Sequence, residues 1–278
     1  MILTESEIKS IVTGSLHDPH QFLGMHNLGN GKGVVARTWD PGAKEITLRS
    51  SSSDHAYSMQ MIDSSGLFEV VIPKENSPFR YSLHSVYPGG QKEWLDPYSF
   101  LPSVQSSELT GFNQGWDRRP FLKLGSIPKV HDGVQGVSFV VWAPSAKSVH
   151  LVGDFNFWNT QSLPMRNLGS CGCWELFVPF ASRGQKYKFR VLGADGVLRE
   201  KTDPFGWKFE KLPGNASIID DRSVLRESAI PSKASNPRTA PVSIYEMHLG
   251  SWRYHPVTKQ PLSFLELAKE LPKYLNTL

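Results

Sequence analysis

Apolar and polar residues alternate in short runs along most of this chain. ITLRSSS, LFEVVI and FRYSLHSV carry the pattern in the first half, and VSFVVWA, SVHLVGD, CWELFVP and KYKFRVLG carry it in the second. Successive side chains of a strand point to opposite faces, so each run predicts a strand with one buried side. Turn-forming stretches (PGAK, YPGG, PSAK, GADG) separate the runs. Strands this short at this spacing, with no long helical period between them, predict a mostly β protein built as β-sandwiches. Trp39, Trp142 and Trp174 lie inside strand runs and are expected in the cores, where large rings supply much of the burial.

The runs repeat. RTWDPGAKEITL (37–48) lies on VVWAPSAKSVHL (140–151), GLFEVVIP (66–73) on GCWELFVP (172–179), and EWLDPYSF (93–100) on EKTDPFGW (200–207). A period near 100 residues is too long for a solenoid unit. It predicts two copies of one domain, residues 1–112 and 113–225, with the polar stretch 103–125 at their boundary. Asp96 and Asp203 precede prolines at equivalent places of the two copies, so they read as turn formers and not as a catalytic pair.

The ends differ in character. Thr4 and Glu7 form a capping box for a short helix over 3–14, with Ile8, Ile11 and Val12 on one face and Gly14 as its stop. Residues 222–241 read as a linker rich in Pro, Ser and charge. VSIYEMHLG (242–250) is a strand candidate. Ser263 and Glu266 then cap a helix with Leu267, Leu271, Tyr274, Leu275 and Leu278 on one side and a kink expected at Pro272. One βα unit has no core of its own, so residues 226–278 are expected to begin something larger.

Composition narrows the function classes. The 278 residues are 39% hydrophobic and 20% charged, the balance of a folded protein. The net charge of +4 is not gathered into a basic run, which argues against a nucleic-acid partner. No apolar run approaches a membrane span, and an acidic residue near the start with no long apolar core argues against a signal peptide. Cys171 and Cys173 are too close for a mutual disulfide and too few for a zinc site; with no leader they fit a reducing, cytoplasmic compartment. His17, His20 and His26 match no metal-ligand spacing, so no metal or cofactor is expected.

With these stretches in hand, the chain resembles the N-terminal part of a bacterial 1,4-α-glucan (glycogen) branching enzyme. FLGMH, the DPY element and the first repeat resemble the family's extra N-terminal domain. VSFVVWAPSAKSVHLVGDFNFWN through TDPFGWKFE and NASII resemble a carbohydrate-binding module of family 48. IYEMHLGSWR resembles the first strand of the α-amylase-type barrel. The resemblance implies two tandem immunoglobulin-like β-sandwiches followed by the first βα unit of a (β/α)8 barrel. It implies retaining chemistry, which needs a carboxylate nucleophile and an acid/base about 5 Å apart. The family carries these on later barrel strands, beyond the last residue of this sequence, so the chain by itself is expected to be inactive. Glu246 and His248, on the first-strand match, are expected to hold neighbouring strands. Debranching enzymes and trehalohydrolases share the second module, and a stand-alone glucan-binding protein is a further alternative.

The resemblance also implies a site for α-1,4-glucan, as glycogen or maltooligosaccharide. GDFNFWN (153–159) places three rings on a turn, where small polar residues are usual. Trp158 is the expected platform, since a flat exposed indole complements the C–H face of a glucose ring; packing on a neighbouring domain is its alternative role. Phe155 and Phe157 are expected to anchor the turn. Lys188 and Asn215, or Ser217 in its place, supply the polar contacts, and Leu198 stands where related modules carry a second tryptophan.

Overall fold

The computed structural model describes residues 3–220, 239 and 244–277. Contacts divide the chain into two units, Met1–Val224 and Leu225–Leu278.

In the first unit, helix α1 (Glu5–Val12) starts from the expected box: Thr4 Oγ1 accepts from Glu7 N–H, and Glu7 Oε2 accepts from Thr4 N–H at 2.7 Å. Eight strands follow: β1 (Gly24–Asn27), β2 (Val34–Trp39), β3 (Glu45–Ser50), β4 (Ala56–Ser58), β5 (Gln60–Asp63), β6 (Leu67–Ile72), β7 (Tyr81–Tyr87) and β8 (Gly90–Trp94). They pair antiparallel into two sheets, β1-β2-β6-β5 and β4-β3-β7-β8. Val34, Ala36, Phe68 and Ile72 from one sheet meet Ile46, Leu48, Tyr81 and Leu83 from the other. That set is what period-two alternation selects.

A short helix α2 (Thr110–Asn113) precedes the second sandwich. Its strands are β9 (Gly125–His131), β10 (Val134–Trp142), β11 (Ser148–Gly153), β12 (Arg166–Asn167), β13 (Cys173–Pro179), β14 (Lys186–Leu192), β15 (Leu198–Lys201), β16 (Lys208–Phe209) and β17 (Ser217–Ile218). The sheets are β12-β13-β10-β9 and β11-β14-β17-β16, with β15 on β14. Phe139, Trp174, Leu176, Tyr187 and Phe189 fill the space between them. The unit is thus mostly β, with four antiparallel sheets, consistent with immunoglobulin-like sandwiches.

The internal repeat starts earlier than the sequence alignment reached. A one-turn helix beginning at Pro19 and another at Pro120 each lead through a fully buried leucine, Leu23 or Leu124, into the first strand of a sandwich. Gly24 and Gly125 open those strands at φ of 90° and 93°, a backbone that side chains rarely adopt. Each sandwich therefore carries its own lead-in segment.

The lead-in of the second copy explains why β10 and β13 are buried on both faces. Val104, Leu109 and Leu124 lie over Val140, Cys171 and Cys173 on the side away from the core. Both cysteines are buried free thiols, and burial pushes the Cys173 thiol well above its ordinary range. The lead-in of the first copy packs across to the second sandwich. Ile11 joins the core cluster of Trp174 and Tyr187, and His150 Nε2 lies 3.1 Å from the Gly14 carbonyl.

A polar seam runs through the same contact. Glu175, fully buried on β13, takes Arg166 Nε at 2.9 Å, the Ser103 N–H at 3.1 Å and the Ser103 hydroxyl at 2.5 Å. Arg166 also donates to the Phe100 carbonyl, and the Tyr98 hydroxyl donates to the Pro164 carbonyl. Asp96 and Asp203 prove equivalent and structural. Both are buried, both accept a tyrosine hydroxyl (Tyr81 or Tyr187), and both accept the backbone N–H two residues on.

One core assignment is corrected. Trp39 and Trp174 are buried, whereas Trp142 is 49% exposed, with the edge of the Phe112 ring against it. Phe139 and Val141 point into the core, so Trp142, one residue on, must point out; it lies at the strand end, past most of the lead-in's cover.

In the second unit the capped helix is present as α3 (Phe264–Leu275), with Ser263 and Glu266 bonded reciprocally and Pro272 within it. Residues 244–248 form no strand; residues 242 and 243 of the expected strand, and Leu278 of the helix face, lie outside the described residues. A strand needs a neighbour for its backbone groups, and a first barrel strand takes its neighbours from later in a barrel. The start of a barrel is therefore not evident in the fold. Tyr274 of α3 is covered instead by Tyr245 and Trp252, with ring centres 5.5 and 5.4 Å away.

Candidate carbohydrate-binding face

Strand β11 ends at Gly153, where a Cβ would collide with the Lys186 carbonyl and the Phe155 ring. The next six residues form a turn held by its own side chains. Asn156 Oδ1 accepts from Gly153 N–H at 2.9 Å, and Asn156 Nδ2 reaches the Asn159 carbonyl and the Ser162 hydroxyl. Asp154 bridges two elements: Oδ1 accepts from the Trp158 indole N–H at 2.8 Å, and Oδ2 accepts from the Lys186 N–H of β14 at 2.8 Å. The turn is thus fixed to the sheet, and the indole is fixed to the turn.

The three rings divide the work differently from expectation in one respect. Phe155 anchors the turn, packing on Phe139 of the core at 5.4 Å. Trp158 is 36% exposed, presenting part of its ring to solvent. Phe157, expected as a second anchor, is 82% exposed, with Lys92 Nζ 5.5 Å from its ring centre. Phe157 and Trp158 adopt left-handed backbone angles, with φ of 53° and 59°. That conformation costs an L residue roughly 1–2 kcal/mol relative to ordinary geometry. The turn chain passes outward at Phe157, which leaves the core no way to receive its ring.

Lys188 projects from the face of β14 opposite to Tyr187 and Phe189. It is mostly covered, and its ammonium lies 3.7 Å from Glu200 Oε2. Asn215 is exposed, and its carbonyl accepts from the Thr202 hydroxyl. Ser217 is fully buried with its hydroxyl accepting from Asp203 N–H, so of the two candidates Asn215 is the one open to solvent. Leu198, on β15, is half exposed.

Two residues that sequence reasoning missed join these positions. Lys186 Nζ lies 2.7 Å from Glu210 Oε1, and Glu210 Oε2 accepts from Ala216 N–H at 3.0 Å. The path from Trp158 runs through Asp154, Lys186 and Glu210 to the Asn215–Ala216 backbone. The Lys186 side chain beside Glu210 holds that carboxyl below its usual range, and Glu210 raises the lysine in turn. Alternation marked Lys186 as outward facing, but nothing local indicated the partner 24 residues away. Lys186 and Lys188 are paired with carboxylates, whereas Arg190, on the same outward face of β14, donates to the Thr160 carbonyl, and Lys208 lies at an exposed register position of the same sheet.

Among the described residues no three His, Cys, Asp or Glu side chains gather to hold a metal ion, and no helix is long and apolar enough to cross a membrane.

The fold and this turn define a β-sandwich module, and its sequence matches a known class of such modules. Residues 123–206 match the model of carbohydrate-binding module 48 (isoamylase N-terminal domain). Residues 4–98 match that of the alpha-1,4-glucan branching enzyme GlgB, N-terminal domain. Together these matches support the N-terminal part of a glycogen branching enzyme carrying a family-48 module.

Among solved structures, the chain is similar to a pullulanase from Anoxybacillus sp. LM18-11 complexed with maltotetraose, at 16% identity over 83% of this chain and 28% of that one, with a TM-score of 0.31. It is similar to apo pullulanase from Paenibacillus barengoltzii, at 25% identity over 53% and 22%, with a TM-score of 0.34. Ligand-free PulA from Klebsiella pneumoniae matches at 16% identity over 66% and 20%, with a TM-score of 0.30. The chain spans less than a third of the length of each of these proteins.

Proposed function

We propose that this chain binds α-1,4-linked glucan through the Trp158 face, as the non-catalytic front of a cytoplasmic glucan branching enzyme. The parent reaction would cleave an α-1,4 bond, hold the glucan covalently and transfer it to a 6-hydroxyl. Residues 226–278 would begin the catalytic barrel, the partner of the sandwiches in the whole enzyme. The reading rests on one observation above others: the Trp158 indole is held by Asp154, which also accepts from the backbone of β14, the strand that carries Lys188, within the segment matched to a carbohydrate-binding module. The match of residues 4–98 to a branching-enzyme domain favours this parent over a debranching enzyme, a trehalohydrolase or a stand-alone glucan-binding protein.

The indole N–H is already used by Asp154, so the ring offers its face. Stacking one glucose on it contributes about 1–3 kcal/mol, the scale of burying one apolar side chain. With a few exposed hydrogen bonds, and a leucine at position 198, affinity for a short oligosaccharide should be about millimolar, near −4 kcal/mol. A polymer with many equivalent chains raises this by avidity. Trp158→Ala should therefore lose most of the retardation of the protein in a glycogen-containing native gel. Its melting temperature should stay within a few degrees, because the ring lies outside the core. A variant that migrates like the parent in glycogen but melts much earlier assigns the indole to packing and refutes the proposal.

A further inference from the structure

A cleft of about 530 Å³ opens between the two sandwiches, beside the GDFNFWN turn. Its size falls within the roughly 300–1,000 Å³ of small-ligand sites. Trp94, Phe157 and Phe180 supply rings to its lining, and Asp40, Lys92 and Gln185 supply polar groups.

Two features set it apart from an ordinary crevice between packed domains. The first is the rings. Phe180 is 65% exposed and, like Phe157, has left-handed backbone, with φ of 59°. Glycine or asparagine would take that conformation with less strain. At one mouth, two phenylalanines thus bear both a strained backbone and a wetted ring, and neither ring serves the core. The second is the floor. Asp40 Oδ2 accepts from the Ser85 and Tyr87 hydroxyls, and the Ser85 hydroxyl accepts from the Trp94 indole at 3.0 Å, which fixes that ring. Asp40 Oδ1 has no hydrogen-bond partner among the described residues. Asn159 and Gln185 use their oxygens on backbone N–H groups of the rim, which leaves their NH2 groups free to donate. Glu93, on the alternate face of β8, turns its carboxylate to Ser82. Asp40 and Glu93 bring carboxylates to the lining and Lys92 an ammonium, with Glu93 Oε1 already engaged by Ser82, so no cluster of like charge faces the cleft. Burial raises the Asp40 carboxyl and lowers the Lys92 ammonium, as expected where water is partly excluded.

We propose that this cleft is a second binding site for α-1,4-linked glucan, continuous with the Trp158 face through the adjacent Phe157. Rigid rings for sugar faces, with one carboxylate oxygen and two amides for hydroxyls, are the chemistry of a neutral oligosaccharide site. The proposal rests on the reading that the chain binds α-glucan, but it can fail separately.

The test is a titration of the full chain, labelled with nitrogen-15, with maltoheptaose, following the indole N–H signals of Trp94 and Trp158. Both should move, and cellohexaose should move neither. Phe180→Asn should weaken the binding seen at Trp94 by about tenfold, the contribution of one stacked ring. It should leave the titration at Trp158 largely intact and the melting temperature unchanged or higher. If Trp158 moves while Trp94 stays still, or if Phe180→Asn changes nothing, the cleft site is wrong and the Trp158 face survives. If Trp94 moves while Trp158 stays still, the cleft stands and the Trp158 platform falls. If neither moves, both fall. An equal response to cellohexaose overturns α-glucan as the occupant.

Discussion

Glu175 is the residue whose loss should most clearly loosen the contact between the sandwiches. It has no solvent exposure and takes Arg166 at 2.9 Å together with two groups of Ser103. Replacing it with alanine removes the carboxylate and leaves the Arg166 guanidinium, its side chain 8% exposed, with the Phe100 carbonyl as acceptor and the more distant Asp18 carboxylate as its remaining counter-charge. Breaking a buried ion pair from one side costs about 3–5 kcal/mol, because the remaining charge stays desolvated. A unit of about 220 residues shifts its midpoint by roughly 2–4 °C per kcal/mol, so Glu175→Ala should melt roughly 6–20 °C below the parent. The double variant Glu175→Leu, Arg166→Met removes both charges and fills the space with apolar atoms, so it should regain most of that loss. Thermal unfolding followed by near-ultraviolet circular dichroism reads all three proteins. If Glu175→Ala melts within about 2 °C of the parent, or the double variant is no better than the single, the seam is solvated and the desolvation argument is wrong.

Two further outcomes follow from the cores. Trp174→Ala should cost about 3–5 kcal/mol by urea unfolding through the cavity it opens, whereas Trp142→Ala, at a half-exposed strand end, should cost about 1 kcal/mol or less; equal costs would contradict the facing of β10. Asp96 is fully buried, and burial pushes its carboxyl up to about 6 against the opposing bonds from Tyr81 and Tyr98. The folded state therefore holds a proton that the unfolded state releases near pH 4. Stability is present below that pH and is lost as pH rises through 6, by about 2–3 kcal/mol in all. Asp96→Asn should flatten this slope between pH 4 and 7, and unchanged denaturant midpoints across that range would count against it.

Strands β3, β6 and β7 of the first sandwich and β10, β11, β13 and β14 of the second were legible in the sequence because period-two alternation and turn residues are local signals; the short edge strands, which depend on their partners, were not. The helix caps at Thr4 and Ser263 were legible because they too are local signals. Trp142 was misread because ring size was taken as the guide to burial, whereas the register set by Phe139 and Val141 turns it outward. What the sequence did not reveal depends on distant partners. The outer faces of β10 and β13 are covered by residues 103–124, and Glu210 finds Lys186 only once β14 and the loop before β17 are placed. Phe157 was misread because a composition argument says that a ring on a turn packs inward, whereas a left-handed backbone there turns it out. The repeat was recovered from residue 37 onward but not at Pro19 and Pro120, where shape is shared and few residues are.

The duplication also has a topological side. The copies do not meet through like surfaces: Trp39 of the first is buried in the joint cluster, while its repeat mate Trp142 in the second remains half open to water. Such a head-to-tail contact does not close on itself, and in principle a further copy could add to the exposed end. In the second copy, Val104, Leu109 and Leu124 of residues 103–124 cover Val140 and Cys173 beside that position. They act as a terminator, in the way a polar end repeat stops a stacked array. Any variant that frees this segment from β10 and β13 should therefore be judged for self-association before it is judged for loss of fold.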